Sequence, residues 1–232
     1  MARNLLTIGF DADDTLWHNE RFFQLTQERF AGLLAAYADT DHLMARLLDA
    51  ERRNLGQYGF GVKGFVLSMI ETAIEVTDER VPASVIRQLV EAGQDMLRHP
   101  IELLPAARQA VETLAPDHHI VLITKGDLLD QERKLAQSGL GDLFDSVEIV
   151  SDKTRQVYSR IFDAAGGADR ALMVGNSLKS DVLPAIEAGA HGVHVPHMLT
   201  WALEHAAAPA TEQRFHHLDD LSGLVSLVEE IG

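Results

Sequence analysis

Between residues 119 and 195, short apolar runs alternate with longer segments that stop at glycine, and that alternation leaves few folds open. The runs at 119–124, 147–150, 171–175 and 192–195 read as buried strands, because they are too short for helices and are bounded by turn residues. The segments at 127–138, 154–165 and 180–188 read as helices closed by Gly139, Gly166-Gly167 and Gly189. Strands that alternate with helices pair in parallel, since only a crossover long enough to hold a helix returns the chain to the same edge. The expected fold is therefore α/β, a doubly wound parallel sheet with both faces covered.

One further apolar run, 5–10, stands far upstream of the others and would be the first strand of the same sheet. Everything from 18 to 96 is helical in pattern. Phe22, Thr26, Phe30, Leu33 and Tyr37 form one stripe, and Leu43, Met44, Leu47 and Leu48 begin a second. Val62, Phe65, Val66, Met69, Ile70 and Ala73 make a third, and Val85, Ile86, Leu89, Val90 and Met96 a fourth. All recur at steps of three and four. Four amphipathic helices without a strand among them pack on themselves. The expected organisation is a core of residues 1–16 and 100–232 with a four-helix insert at 17–99. Within the insert, Gly59-Phe60-Gly61-Val62-Lys63-Gly64 matches the spacing of a dinucleotide fingerprint. That fingerprint needs a strand before it, and the polar, helical stretch 50–58 is not one. The glycines read instead as a loop between the second and third helices, with Lys63 in the loop as either a substrate contact or a surface lysine.

The first strand ends abruptly in Asp11, Asp13, Asp14 and Thr15. Carboxylates crowded at the end of a buried strand repel and raise each other's pKa. A divalent cation relieves this, and Mg²⁺ takes one or two carboxylates plus substrate phosphate. Asp11 and Asp13 are two apart, so in extended chain they point to the same side. The competing interpretation is a solvated turn or a helix cap. An EF-hand loop does not fit, because its glycine and closing glutamate would fall on Leu16 and Phe22. Composition narrows the substrate. A formal charge of −15 argues against nucleic acid and anionic membranes as partners, and it requires a locally positive pocket for any phosphorylated substrate. The absence of cysteine excludes disulfides, thiolate metal sites and a cysteine nucleophile. No run approaches the ~20 apolar residues of a membrane helix, and residues 1–4 lead straight into the first strand without room for a signal peptide. A cytoplasmic protein is expected; the sequence does not indicate an oligomeric state.

Ligands of open parallel sheets bind at the carboxyl ends of the strands. Those ends carry Asp11, Asp13 and Thr15, then Thr124 and Lys125, then Lys153, then Asn176, Ser177 and Asp181. This set suits a phosphate and a divalent cation. It also resembles the haloacid dehalogenase superfamily, a Rossmannoid group composed mostly of phosphatases. The resemblance rests on an apolar strand followed by Asp11-Ala12-Asp13-Asp14-Thr15, a strand closing on Thr124, Lys153 ahead of a helix, and Val174-Gly175-Asn176 with Asp181 further on. The motifs run in family order across residues 5 to 195, and the helical insert resembles the family's α-helical cap.

By that resemblance, Asp11 is the nucleophile that becomes an aspartyl phosphate. Asp13 is the general acid that protonates the leaving alcohol and then activates water, with its backbone carbonyl on Mg²⁺. Thr124 and Lys153 hold the phosphoryl oxygens, and Thr15 supports the turn. Asn176 stands where the family usually has aspartate. It keeps an oxygen ligand but loses a charge, so the direct Mg²⁺ ligand is either Asn176 or Asp181; Asp181 in a first helical turn also complements the helix dipole. True dehalogenases of the family lack the second aspartate of the first motif, so Asp13 favours phosphate transfer on a small phosphorylated metabolite over haloacid dehalogenation, while Asn176 leaves open a binding or regulatory protein of the same fold with weak or no turnover. Phosphonatase chemistry would need a cap lysine, and Lys63 is the only lysine in the insert. His191 and His194 fall on opposite faces of a strand, so they and His197 are not expected to share a metal. Trp201 and Glu204 are expected to pack behind the site.

Overall fold

A computed structural model describes residues 5–209 and 211–232. The chain divides into two compact units. One comprises the chain through Glu20, Ile101–Lys125 and Gln131–Gly232, and the other Arg21–Pro100 with Gly126–Asp130.

The second unit is built on four helices, α1 (Glu20–Leu34), α2 (Thr40–Tyr58), α3 (Val62–Val76) and α4 (Ala83–Arg98). Their stripes meet in a single core that includes Phe30, Leu34, Leu47, Phe65, Met69 and Leu89. Asp39 starts α2 by accepting from the His42 amide at 2.9 Å, which satisfies one of the free N–H groups of a helix start. Gly61, at φ 119°, turns the chain into α3. Lys63 therefore lies in the first turn of α3 and not in the loop expected for it. Its ammonium is 3.2 Å from Asp127, whose carboxylate also accepts from the Lys63 amide at 3.3 Å. An acid at a helix N-terminus supplies the acceptor that the first amides lack.

The first unit carries six parallel strands in the order β3-β2-β1-β4-β5-β6. They are β1 (Thr7–Phe10), β2 (His119–Lys125), β3 (Ser146–Val150), β4 (Ala171–Gly175), β5 (His191–His194) and β6 (Phe215–His217). β1 lies between β2 and β4, with Phe10 in register with Leu122 on one side and Val174 on the other. There is little space around it: a Cβ on Gly9 would come within 2.9 Å of Ile123 and 3.0 Å of Met173. Helices α5 (Ala107–Leu114), α6 (Leu128–Ser138) and α9 (Leu224–Ile231) place Val111, Leu135 and Leu224 in one core with Ile8, Phe10 and Val174. Helices α7 (Arg155–Ala164) and α8 (Leu183–Glu187) place Tyr158, Phe162 and Ala185 against Val121, Ile123 and Met173. Both faces of the sheet are covered, and the doubly wound α/β fold expected from the alternation is the one observed.

Helices α5 and α9 have no counterpart among the expected elements, and two further elements differ from expectation. β6 is a short edge strand, Phe-His-His, with no apolar run to announce it. The helix expected from residue 180 starts earlier, as a wide turn at Leu178–Val182 in which the Val182 amide donates to Ser177 at 3.2 Å. Pro184 explains part of this. It has no N–H to give the Ser180 carbonyl, which accepts instead from the Tyr158 hydroxyl at 3.0 Å. Among the described residues no helix is long and apolar enough to cross a membrane.

Candidate active site

The site forms where β1 runs out. The Asp11 amide extends the pairing with β4 by donating to Val174 at 2.9 Å. The chain then folds back on itself. The Leu16 amide donates to Ala12 at 2.8 Å and the Asp14 amide to Trp17 at 2.7 Å, with Asp14 at φ 61°, a left-handed conformation that aspartate tolerates better than most. This loop returns Thr15 to the strand end, where its hydroxyl donates to Asp11 Oδ2 at 2.9 Å. The same hydroxyl accepts from the Asn176 amide at 3.0 Å. Thr15 thus joins the ends of β1 and β4.

Asp11, Lys153 and Asp181 form a buried cluster. Lys153 Nζ donates to Asp11 Oδ1 at 2.5 Å and to Asp181 Oδ1 at 2.6 Å. Asp181 Oδ2 accepts from the Ser177 amide at 2.9 Å. A Cβ at residue 175 would lie 2.3 Å from that oxygen, so only glycine admits the carboxylate here. Two carboxylates share one ammonium, which leaves the cluster short of positive charge. The consequence shows at Asp11. Burial pushes its carboxyl up to about 7; Lys153 opposes the rise and Asp181 adds to it. Burial acts to lower the Lys153 pKa, yet Asp11 and Asp181 carry it above the ordinary lysine value.

Asp13 has different partners. The expectation that it points with Asp11 assumed extended chain, and the chain turns after Ala12. Asp13 Oδ1 accepts from the Trp17 indole at 2.7 Å, and Oδ2 from Gln131 at 2.8 Å. Lys134 Nζ is 3.0 Å from both oxygens and donates also to Asn19 at 2.8 Å. Gln131 and Lys134 are three apart on α6, which puts them on one helix face. That spacing was visible in the sequence, but nothing there linked the face to Asp13.

Thr124 closes β2, and its buried hydroxyl has no hydrogen-bond partner among the described residues. Lys125, next in chain, donates to Ser180 at 2.7 Å and to Glu204 at 2.6 Å. Glu204, expected to pack, also accepts from Ser177 at 2.6 Å and Ser180 at 2.5 Å. The Asn176 side-chain oxygen makes only a 3.3 Å approach to Thr15, and the Asn176 carbonyl accepts from His194 Nε2 at 3.1 Å. Asp14 caps the next segment, accepting from the amides of Asn19 and Glu20 at 2.9 Å each. Burial raises its carboxyl to about 6, against the Asn19 amide. The other histidines have separate partners: His191 pairs with His216 at 2.9 Å and His197 with the Leu199 carbonyl at 2.9 Å. Among the described residues no three His, Asp or Glu side chains form a metal cage.

A family model described as haloacid dehalogenase-like hydrolase matches residues 5–189. The pyrimidine 5′-nucleotidase YjjG of Escherichia coli (strain K12) is 32% identical over 93 residues, covering 37% of this chain and 41% of that protein. The chain therefore aligns with about two fifths of that relative's length. A haloacid dehalogenase-like family hydrolase from Xanthomonas campestris superposes with a TM-score of 0.87 at 41% identity, covering 99% of this chain and 93% of that one. L-2-haloacid dehalogenase from Xanthobacter autotrophicus, with chloropropionic acid covalently bound, shares the fold at a TM-score of 0.68 and 18% identity, covering 98% of this chain and all of that one (100%).

Proposed function

This chain belongs to the haloacid dehalogenase-like hydrolases, and from that premise we propose that it is a Mg²⁺-dependent phosphatase of small-molecule phosphomonoesters. The observation that carries the proposal is the pair Asp11 and Asp13. One carboxylate is buried against a single ammonium, and two residues on a second carboxylate is held apart by Lys134, Gln131 and Trp17.

In this reading Asp11 attacks phosphorus and carries the phosphoryl group as an acyl phosphate, as carboxylate nucleophiles do. Lys153 and Thr124 hold the phosphoryl oxygens. The unpartnered Thr124 hydroxyl supports this, since a buried donor without an acceptor is costly unless a ligand supplies one. Asp13 gives a proton to the leaving alcohol and, as carboxylate, takes one from the water that cleaves the intermediate. The charge shortage around Asp11 and the all-oxygen donor set suit Mg²⁺, which would be held by Asp11, the Asp13 carbonyl and the side-chain oxygen of Asn176. When bound, the ion supplies positive charge to the phosphoryl oxygens. Asp181 accepts from Lys153 on one oxygen and from the Ser177 amide on the other. In this reading it anchors Lys153. The helical insert, 17–99, would act as the cap that selects substrate.

The experiment is phosphate release from p-nitrophenyl phosphate, with Mg²⁺ and with chelator. Metal-dependent release is expected. Chloride release from 2-chloropropionate without phosphatase activity would replace the proposal with haloacid dehalogenation. The likeness to YjjG makes pyrimidine nucleoside monophosphates the first members of a substrate panel.

A further inference from the structure

We propose that Glu204, which lies outside the span matched by the family, is a positioning residue: its carboxylate ties the wide turn Leu178–Val182 to the end of β2 and so fixes where Asn176 and Asp181 stand. The inference rests on the phosphatase reading for its consequence in catalysis, and on geometry alone for the tie itself.

Three segments meet at this carboxylate. Oε1 accepts from Lys125, and Oε2 accepts from both Ser177 and Ser180. Lys125 also donates to Ser180 at 2.7 Å, so the ammonium, the Ser180 hydroxyl and the carboxylate are bonded to one another. A second tie runs parallel to it, from Lys179 Nζ to the Leu203 carbonyl at 2.7 Å. Exposed ion pairs contribute little, but the side chains of Lys125 and Glu204 are only 15% and 14% exposed. Hydrogen bonds to an ionised acceptor in such a setting are the strong ones. Burial acts to raise the Glu204 pKa, yet Lys125 and the two serines hold it below the ordinary value.

The turn needs an outside hold. Its Val182 amide reaches back to Ser177, the five-residue step of a π-bulge, a rare geometry found often at functional sites. The Ser180 carbonyl is already given to Tyr158. Glu204 adds a restraint from a segment more than twenty residues on, beside those that Lys153 gives Asp181 and Lys179 takes from Leu203. Asn176 precedes this turn and Asp181 lies within it, while Thr124 is the neighbour of Lys125. One anion thereby fixes two strand ends relative to Asp11. Misplacing a catalytic group by about 1 Å can cost about 10²-fold in rate.

The test uses the full chain with Glu204→Gln, which keeps the shape and removes the charge, and Glu204→Asp, which keeps the charge. Hydrogen exchange at the amides of 176–182 is read beside kcat and the Mg²⁺ concentration for half-maximal rate. Glu204→Gln is expected to speed exchange at Asp181 and Val182 while the amides of β1 and β4 stay as in wild type. It should lower kcat by about 10- to 100-fold and raise the Mg²⁺ requirement, with Glu204→Asp recovering part of each. Wild-type exchange in Glu204→Gln overturns the proposal, and so does an equal speed-up across the whole sheet, which marks a general stability role. If Glu204→Gln does not fold, Lys125→Met removes the bonds to Glu204 and Ser180 from the β2 side and leaves those of Ser177 and Ser180 to Glu204. It should loosen the same amides to a smaller degree, and unchanged exchange there overturns the proposal. A wild type without phosphatase activity would refute the function while the exchange data still decide the tie.

Discussion

The helical unit and the α/β unit differ in where their ion pairs lie and in what meets their buried polar side chains. In the helices, Thr26, Thr72 and Thr77 each return a hydroxyl to the carbonyl one turn back, at 2.8 Å, and the charged pairs, such as Arg46 with Glu75, lie at the surface. Buried Asn54 is an exception, donating from α2 to Ser68 at 3.1 Å and Glu71 at 2.8 Å on α3. In the α/β unit the buried carboxylates use local donors too, but their counter-charges come from distant segments: Lys153 serves Asp11 and Asp181, and Lys134 serves Asp13. Groups satisfied locally stabilise a fold and do little else. Groups that depend on several strand ends at once, and are left with charge to spare, are where an anion and a cation can be recruited.

This contrast predicts large chemical effects in one unit and thermodynamic ones in the other. Asp11→Asn should abolish turnover of p-nitrophenyl phosphate, because an amide is a poor nucleophile of nearly the same shape; near-wild-type turnover would remove Asp11 from that role. The same variant carries a pH signature without metal. A carboxyl whose folded pKa is raised contributes stability below its unfolded value of 3.8 and loses it as pH rises through about 7. Metal-free wild type should therefore lose melting temperature from pH 5 to 8 more steeply than Asp11→Asn. Asp14, raised to about 6, adds a slope of the same sign to both.

Asp13→Asn should lower turnover by about 10²–10⁴ on substrates with poor leaving groups, and less on p-nitrophenyl phosphate, whose leaving group needs little protonation. Equal losses on both would contradict the acid role. In the helical unit, Leu89, fully buried in α4, should cost about 2–5 kcal/mol on truncation to alanine, seen in denaturant melts, with the Mg²⁺ requirement of the folded enzyme unchanged. The smallest effect is expected at Lys63. Its side chain is 60% exposed, so Lys63→Ala should change stability by no more than about 1 kcal/mol and leave p-nitrophenyl phosphate kinetics alone. A raised KM confined to one natural substrate would identify Lys63 as a substrate contact.

What the sequence made legible was whatever is encoded at short range. Apolar runs and glycine stops located β1 to β5, and strand polarity then gathered Asp11, Asp13, Thr124, Lys153, Asn176 and Asp181 to one edge. What it hid depends on rotation and long-range closure. Gln131 and Lys134 look like ordinary polar positions of α6 until the helix is turned toward Asp13. Glu204 lies 24 residues beyond Ser180, with no periodicity to connect them. The wide turn arises where Pro184 deprives Ser180 of a partner, and a helical pattern alone places the first turn two residues late. β6, three residues long, carries too little apolar signal to be seen.

The central claim is that Asp11 carries the phosphoryl group. Borohydride added during steady-state turnover of a phosphate ester reduces an acyl phosphate to an alcohol, and peptide mass mapping then reads the modified position. The account predicts conversion at Asp11, dependent on substrate and Mg²⁺ and absent from Asp13. Continued phosphate release with Asp11 unmodified under these conditions would contradict it.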